Sequence, residues 1–381
     1  MTPLLGDPFS EAPKTSIESL FDREAELEAL KNALRRKSRM VLVLGVRRVG
    51  KTSLLKAGLN SMKTPYVFLD LRALASYDDK SLYSILVDEL NRVMPFGKRL
   101  LEQLKKVKGV SVGVEGVSIS FAKDKPGLVS IFRALDRWAS QEKFCLPVVF
   151  DEAQELRFFQ GGRRRFDFRR FLAYSYDNLQ NITLILSGSE VGLLLRLLGF
   201  DDPKSPLFGR HYERIVVERL DRAGAYEFLR LGFEHHGIEV GEEVLRQVVE
   251  RLDGIIGWLA HFGAEAVREY RRGSGVNIIE LIQEIESKAV ALCASELEEV
   301  AKRSTLYIAI LAELKDGEKK WSELKSALEK RLKRVVSNPQ LANLLNTLSQ
   351  LSLIEKTASG YRALDPLVPE AAELLLSRRW R

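Results

Sequence analysis

The segment that most constrains how this chain folds runs from residue 45 to residue 53. It reads Gly-Val-Arg-Arg-Val-Gly-Lys-Thr-Ser and matches G-x-x-x-x-G-K-[ST], the pattern of a phosphate-binding loop, or P-loop. An apolar run, residues 40–44, precedes it, and a helical pattern follows. Gly45 and Gly50 allow successive backbone N–H groups to point into one concavity, where they and the following helix N-terminus bind phosphate. The sequence therefore predicts a strand, a P-loop and a helix in this order.

The residues of the P-loop have distinct expected roles toward ATP and Mg²⁺. Lys51 is expected to contact the β- and γ-phosphate oxygens as a point charge, and the Thr52 hydroxyl is expected to ligate Mg²⁺. We assign the other residues of the segment to nucleotide binding as well: Gly45, Val46, Arg47, Arg48, Val49, Gly50 and Ser53. The alternative is a glycine loop that arises by chance, but the strand and helix patterns on either side argue against it.

A second motif, residues 146–155, reads Leu-Pro-Val-Val-Phe-Asp-Glu-Ala-Gln-Glu. An apolar run that ends in Asp-Glu predicts a buried strand with two carboxylates at its tip. Asp151 is expected to orient Mg²⁺ through its water shell. Glu152 is expected to position and polarise the attacking water, the step that separates an ATPase from a protein that only binds ATP. Two acids at a strand end can also be surface charges, but their combination with a P-loop favours catalysis.

A third apolar run, residues 182–187, ends in small hydroxyl side chains. A polar group at the tip of the strand beside the P-loop strand can sense a γ-phosphate, and Ser187 or Ser189 is expected to fill that role. The spacing does not match the nucleophile elbow G-x-S-x-G. The four histidines show no metal-ligand spacing, so we interpret them as structural.

The order of the predicted elements indicates an α/β fold. Short apolar runs alternate with amphipathic helices through the first half, which is the rhythm of a parallel sheet covered on both faces. The predicted strands are residues 40–44, 66–71, 146–150, 182–187 and 214–217. Because 381 residues exceed the ~250–300 of one core, we divide the chain into several units. They are a P-loop core (1–218) with a β-hairpin insertion near 110–121, a helical lid (219–300) and a winged helix domain (301–381).

Composition and charge narrow the functional classes. No run approaches the ~20 apolar residues of a membrane helix, and the N-terminus lacks a signal-peptide pattern, so we expect a cytoplasmic protein without membrane contact. Two cysteines make neither a disulfide framework nor a zinc cage. The net charge is +7, and the last 81 residues hold 15 Lys and Arg against 9 Asp and Glu. This surplus indicates an anionic partner such as nucleic acid, with a solvated basic surface as the alternative.

The C-terminal region resembles a winged helix-turn-helix. Two helical patterns precede Asn338-Pro339, which predict the start of a third helix, and two short runs, 353–357 and 361–364, flank a turn that would form the wing. The third helix presents side chains that can hydrogen-bond base edges: Gln340, Asn343, Thr347 and Gln350. Basic residues lie just before it, where phosphate contacts belong: Lys325, Lys330, Arg331, Lys333 and Arg334. We expect residues 301–381 to bind double-stranded DNA, although many such modules bind protein instead.

As a set, these motifs resemble the archaeal ATPase family of P-loop NTPases, in the STAND branch related to AAA+ proteins and archaeal replication initiators. The segments that carry the resemblance are residues 21–27, 45–53, 150–154, 187–193, 205–210 and 257–259. The resemblance implies ATP binding and hydrolysis, a helical lid after the sheet and, usually, a C-terminal winged helix.

The resemblance also implies roles for three residues that lie outside the P-loop and outside the two polar strand ends described above. Phe21 and Arg23 belong to the family's entry segment, which packs near the adenine; the alternative is an ordinary helix start. Arg210 resembles the family's arginine that reaches a γ-phosphate, in cis or from a neighbouring subunit; the alternative is a plain surface arginine. The lid departs from the family's G-x-P pattern because Ile256 stands where proline is expected, which weakens the expectation that this turn contacts the base.

Three functions remain open from the sequence. The first is an ATP-driven switch or remodelling ATPase whose winged helix docks on duplex DNA, with a homo-oligomer as one form it can take. The second is a STAND-type signalling ATPase whose C-terminal module binds protein. The third is an oligomeric DNA translocase or loader, in which the predicted hairpin near 110–121 and the arginine-rich residues 163–170 line a pore. The alternative for the hairpin is an insertion that packs on the sheet edge. The alternative for the arginine-rich segment is a solvated loop.

Overall fold

A five-stranded parallel sheet forms the centre of the N-terminal half in this computed structural model, which describes residues 6–93, 98–112, 119–121, 127–160, 167–273 and 278–379. Its strands are β1 (Met40–Leu44), β2 (Val67–Asp70), β5 (Leu146–Asp151), β6 (Ile182–Gly188) and β7 (Glu213–Val216), and their spatial order is β2-β5-β6-β1-β7. Every residue of β1, β5 and β6 is buried, as expected for parallel strands covered on both faces. The five predicted strands are confirmed.

Helices cover the two faces of this sheet. On one face, α1 (Glu24–Arg35) and α2 (Lys51–Ser61) pack on Val41 and Val43 of β1. On the other face, Met40, Leu42 and Leu44 of β1 join a second hydrophobic cluster. The helices of that face are α3 (Asp79–Val93), α4 (Lys98–Lys105), α5 (Leu128–Gln141), α6 (Phe168–Asn178) and α7 (Val191–Leu198). Alternation of side chains along β1 therefore gives each face of the sheet its own core.

The predicted β-hairpin is present as a separate two-stranded sheet. Strand β3 (Val110–Val112) pairs antiparallel with β4 (Ile119–Phe121), with Ser111 opposite Ser120. Strand β3 contacts α4, and β4 contacts α3, so the paired residues pack against the helical layer. The turn of the hairpin and the arginines at positions 163–165 lie outside the described residues.

The lid and the winged helix follow the sheet. The lid helices are α8 (Arg222–His235), α9 (Glu242–Leu252), α10 (Ile256–Arg271) and α11 (Ile278–Arg303). The winged helix consists of α12 (Thr305–Glu313), α13 (Trp321–Leu332), α14 (Asn338–Gln350), β8 (Ile354–Lys356), β9 (Tyr361–Ala363) and α15 (Leu367–Arg379). Its fold is as predicted, with two differences. Ser337, not Asn338, caps α14, since its hydroxyl accepts from the Gln340 N–H. The sequence pattern also missed α15, which packs on α11 and α12 and therefore lacks one narrow apolar stripe.

The lid and the winged helix share one hydrophobic core. A single cluster of buried side chains includes Trp258 of the lid and Leu311 and Leu376 of the winged helix. Phe9 also belongs to it: a Cβ added at Gly232 of α8 or Gly263 of α10 would lie 2.2 or 2.3 Å from the Phe9 ring. Only glycine at both positions lets the N-terminal segment lie against the lid. The domain boundaries near 219 and 301 stay predictions.

Candidate nucleotide-binding site

The P-loop is closed around the side chain of its own lysine. A Cβ at Gly45 would lie 2.3 Å from the carbonyl oxygen of Val217, and Gly50 has a left-handed φ of +97°, so both glycines are required by the loop's path. The Lys51 ammonium donates hydrogen bonds of 2.8 Å to the carbonyls of Gly45 and Val46. Burial lowers the pKa of Lys51, and the nearby charges of Glu152 and Asp151 oppose that shift. The lysine thus lies in the concavity where phosphate is expected.

Asp151 lies at the end of β5 and contacts two hydroxyl groups. Thr52 Oγ1 donates a hydrogen bond of 2.8 Å to Asp151 Oδ2, and the Ser187 hydroxyl donates to Asp151 Oδ1. Burial raises the pKa of Asp151, while these two hydrogen bonds favour its ionised form. Ser187 is on β6, which lies between the P-loop strand and the acidic strand. The structure therefore brings together three of the predicted site residues.

Glu152 is held by donors from two neighbouring segments. Its Oε2 accepts from Gln154 Nε2 (2.6 Å), Ser189 Oγ (2.6 Å) and Ser189 N (3.2 Å). Its backbone is left-handed, with φ of 54°, which is a strained conformation for a side chain of this type. Burial disfavours the charged carboxylate, but Lys51, Ser189 and Gln154 outweigh it, so the pKa of Glu152 is lowered. Glu152 is therefore ionised at neutral pH.

A cavity of about 350 Å³ opens in front of these residues. It is lined by the P-loop from Arg48 to Ser53, by Glu152, and by Phe21 and Arg23 from the predicted entry segment. Lid residues and the N-terminal segment close the far side: Pro8, Lys14, Phe228, Ile256, Trp258 and His261. The phosphate-facing and the adenine-facing residues of the prediction therefore border one space.

Arg23 makes backbone contacts rather than pointing freely into this cavity. It is buried, and its Nη2 donates to the carbonyls of Val49 (3.2 Å) and Glu218 (2.9 Å). These bonds join the end of the P-loop to the chain that follows β7. Ser53 also makes a backbone contact, because its hydroxyl accepts a 3.1 Å hydrogen bond from the Lys14 N–H.

Arg210 is not brought into the cavity. Its Nη2 lies 2.7 Å from Asp177 Oδ2, and its Nε donates to Asp177 Oδ1 at 3.1 Å. The hydrogen bond and the charge of Asp177 raise the pKa of Arg210. Arg210 is absent from the residues that line the cavity, so its role toward a γ-phosphate stays a prediction.

Arg47 and Arg48 contact the lid. Both guanidinium groups lie 3.1 Å from Glu296 Oε2 of α11. The Arg48 guanidinium carbon also lies 4.0 Å from the centre of the Trp258 ring, and the Arg48 carbonyl accepts a 2.9 Å hydrogen bond from Gly257 N. The sequence indicated none of these contacts with Glu296 and Trp258.

Three more residues of the site were missed by the sequence analysis. Gln154 contacts Glu152, and Arg72, which follows β2, lines the cavity beside it. The signal for Arg72 was the Asp70-Leu-Arg72 sequence at the end of a predicted strand. Glu296 gave no signal, because it is one of several glutamates on a long helix.

The donor set fits Mg²⁺ bound together with phosphate. Mg²⁺ is usually held by one or two protein oxygens together with phosphate oxygens and water. Thr52 Oγ1 and Asp151 can supply the protein oxygens. Among the residues that the structure describes, no group of three His, Cys, Asp or Glu could hold a metal by itself. Within that same part of the chain, no helix is both long and apolar enough to cross a membrane.

The sheet order and the site define a P-loop NTPase of the AAA+-like type, with a winged helix at the C-terminus. A family model described as an ATPase domain predominantly from Archaea matches residues 20–262. The chain belongs to this archaeal ATPase family. A second family model, the C-terminal winged helix-turn-helix domain of MCM proteins, matches residues 301–364.

Two solved structures are similar over almost the whole chain. The Walker-type ATPase PABY2304 of Pyrococcus abyssi is 34% identical with a TM-score of 0.80, over 96% of this chain and 99% of that one. The ORC2 protein of Aeropyrum pernix, in ADPNP–ADP complexes, is 15% identical with a TM-score of 0.62, over 98% of both chains. The second likeness shows the fold alone. No curated protein matches this chain in sequence.

Proposed function

We propose that this chain binds ATP with Mg²⁺ and hydrolyses it to ADP and phosphate. The observation that carries the proposal is the direct contact between the P-loop and the acidic strand. Thr52 donates to Asp151 at 2.8 Å, and Glu152, the next residue, lines the same cavity as Lys51. A protein that binds nucleotide without hydrolysing it does not need the second carboxylate.

The binding roles follow from the contacts of the P-loop. The Lys51 ammonium exchanges the carbonyls of Gly45 and Val46 for β- and γ-phosphate oxygens, which are stronger partners for a cation. The backbone N–H groups of the loop and the N-terminus of α2 face the same phosphates. Thr52 and Asp151 would hold Mg²⁺, which would supply positive charge against the phosphates.

Glu152 acts on the attacking water. Its lowered pKa keeps it ionised, so it can accept a hydrogen bond from water and later a proton. In hydrolysis the water oxygen bonds to the γ-phosphorus, the bond from that phosphorus to the β–γ bridging oxygen breaks, and ADP leaves with the electron pair. Gln154 and Ser189 hold the carboxylate until substrate is in place.

The test is Glu152→Gln, which keeps the shape of the side chain but removes its basicity. We expect ATP affinity to stay within a few-fold of the wild type and phosphate release to fall by about 10²–10⁴-fold. Glu142→Gln is the control, since Glu142 is ion-paired with Arg99 at 3.6 Å and does not line the cavity. Unchanged phosphate release in Glu152→Gln would remove Glu152 from this role.

We also propose that the winged helix binds duplex DNA. Asn343 of α14 is exposed, as are Lys330, Lys333 and Arg334 just before that helix. The C-terminal end of α14 is less accessible than the sequence suggested, because Gln350 accepts a 3.0 Å hydrogen bond from Arg196 of α7. The first half of α14 and the three cations before it are therefore the surface that supports this proposal.

The DNA proposal is tested by removing the charges of Lys330, Lys333 and Arg334 together by substitution with alanine. We expect weaker duplex binding and a smaller slope of log K against log salt, by up to about 0.9 for each phosphate that the protein no longer neutralises. The control replaces three exposed lysines of the ATPase core, Lys37, Lys63 and Lys143, by alanine; each lies just after the end of a helix, as Lys333 does. Equal losses in both triple variants would indicate non-specific attraction. Absence of duplex binding by the wild type would favour a signalling ATPase whose winged helix binds protein.

A further inference from the structure

We propose that Arg72 contacts the γ-phosphate of bound ATP, as a catalytic arginine that the chain supplies to its own site. This rests on the proposed ATPase function and adds a residue to it. Two sets of contacts carry it: those of Arg72 with the acidic strand, and those that hold the other arginines around the cavity.

The position of Arg72 follows from the register of the sheet. Asp70, the last residue of β2, pairs with Asp151, the last residue of β5. Because the carboxyl ends of parallel strands meet at one edge of the sheet, the residues that follow β2 lie beside the acidic tip of β5. Arg72 Nη2 lies 3.7 Å from Asp151 Oδ2, the oxygen that also accepts from Thr52.

The guanidinium of Arg72 is oriented by one neighbouring carboxylate. Its Nε donates to Asp70 Oδ1 at 3.1 Å, and its Nη2 donates to Asp70 Oδ2 at 3.1 Å. The Arg72 N–H also donates to Asp70 Oδ1, at 3.0 Å. Nη1 donates to no described residue, and the side chain is 54% exposed. A bidentate pair of this kind fixes the plane of the guanidinium while leaving donors for a phosphate.

The other arginines that line the cavity are paired elsewhere. Arg23 donates to two backbone carbonyls, and Arg48 is paired with Glu296 and packed on Trp258. Arg210 is paired with Asp177 outside the cavity. Bound ATP concentrates negative charge on the γ-phosphate oxygens, and an arginine there stabilises the transition state as the leaving group departs. Of these arginines, Arg72 is the one that borders the cavity next to Asp151.

The test compares ATP and ADP, because only ATP carries the γ-phosphate. Dissociation constants of both nucleotides with Mg²⁺ are measured by calorimetry for the wild type, Arg72→Ala and Arg72→Lys. We expect Arg72→Ala to weaken ATP binding by about tenfold and to leave ADP binding within about twofold, since one charge-assisted hydrogen bond is removed. Single-turnover phosphate release should fall by about 10²–10³-fold. Arg72→Lys should recover part of the affinity but little of the rate, because a lysine lacks the planar fork.

Arg92→Ala is the matched control. Arg92 belongs to the same part of the core and is also half-exposed, but it is paired with Glu89 at 2.8 Å and packs on Tyr66 outside the cavity. The Arg92→Ala variant should bind and hydrolyse ATP as the wild type does. Equal effects of Arg72→Ala on ATP and ADP, or turnover within threefold of the wild type, would overturn the assignment.

The two proposals fail in different ways. A wild-type chain that binds ATP without turnover would refute the proposed hydrolysis, and the ratio of ATP to ADP affinity would still decide the assignment of Arg72. A wild-type chain that binds neither nucleotide would refute both. Thermal unfolding of each variant within about 2 °C of the wild type shows that the substitution acts on the site rather than on the fold.

Discussion

The indole N–H of Trp258 in the lid donates a 2.8 Å hydrogen bond to Asp365 of the winged helix. The ring of the same tryptophan lies 4.0 Å from the guanidinium carbon of Arg48 in the P-loop. Three parts of the chain therefore meet at one side chain. Burial raises the pKa of Asp365, whose side chain also lines the cavity between the P-loop and the winged helix. Any movement of the winged helix away from the lid must break this hydrogen bond.

Removal of the Asp365 hydrogen bond should expose the interface to reagents. Cys293 of α11 lines the cavity between the core and the winged helix, and burial raises its pKa to about 12, so its thiol should react slowly. In a Cys145→Ser background, Asp365→Ala should increase the rate of iodoacetamide labelling of Cys293 by about tenfold or more, since a hydrogen bond worth about 1–3 kcal/mol is removed.

Asp365→Asn separates the hydrogen bond from the charge in this experiment. The substitution removes the negative charge of Asp365, and the loss of this charge by itself favours the Cys293 thiolate. The asparagine keeps an oxygen that can accept a hydrogen bond from Trp258. We expect a much smaller increase in labelling than for alanine. Equal rates for the two variants would mean that charge, and not docking, controls the reactivity of Cys293.

Glu296→Gln should destabilise the protein at neutral pH but not in acid. Burial opposes ionisation of Glu296, but its hydrogen bond with Arg48 and the charges of Arg48 and Arg47 outweigh it, so its pKa in the folded protein is lowered. An acid whose pKa is lowered by folding stabilises the folded protein at pH values above its unfolded pKa of 4.5. This stabilisation is lost as the pH falls through the pKa of the folded protein.

The measurement is the free energy of unfolding in urea from pH 7 down to pH 3. The wild type should exceed Glu296→Gln by about 1–3 kcal/mol at pH 7, and the difference should shrink toward pH 3. Glu299→Gln is the control on the same helix, because Glu299 is exposed and pairs with Lys302 of its own helix. A difference that stays constant with pH would contradict the ion-pair explanation.

Gly192→Ala should push the winged helix away from α7. An added Cβ would lie 2.7 Å from Gln350 Cα and 3.2 Å from its carbonyl oxygen, so backbone of α14 must shift. Overpacking of this kind costs about 1–3 kcal/mol, more than the ~1 kcal/mol that alanine contributes within a helix. Limited proteolysis should therefore cleave the variant faster near α14. Gly241→Ala, whose added Cβ meets no atom within 4 Å, is the control, and equal cleavage in both would refute the contact.

Arg210→Ala should reveal whether the chain acts in an oligomer. In this chain Arg210 pairs with Asp177 and lies away from the cavity, so a plain surface arginine predicts little change in turnover. Action on a neighbouring subunit predicts a fall of about 10³-fold or more, together with turnover per chain that rises with protein concentration in the wild type. Asp177→Ala should leave such turnover intact, because it only releases Arg210.

Much of the fold and part of the site followed from local sequence patterns. The five strands of the parallel sheet, the P-loop and the Asp151–Glu152 pair each depend on residues that are adjacent in the chain, so periodicity and motif spacing predict them. The helix α15 was missed because it is apolar toward two neighbours at once. The N-cap of α14 was placed one residue late, since both Ser337 and Asn338 are favoured caps.

What the sequence alone determined is the chemistry that contiguous residues carry: a strand that ends in a phosphate-binding loop, and a strand that ends in two acids. The tertiary structure decided which partners the charged side chains choose. Arg48 contacts Glu296, which is 248 positions away in the sequence, and Trp258 contacts Asp365, which is 107 positions away. Arg72 lies close to Asp151 because of the register of the sheet. The physical reason is that such contacts depend on how helices and strands pack, and no local periodicity encodes the distance between side chains far apart in the chain.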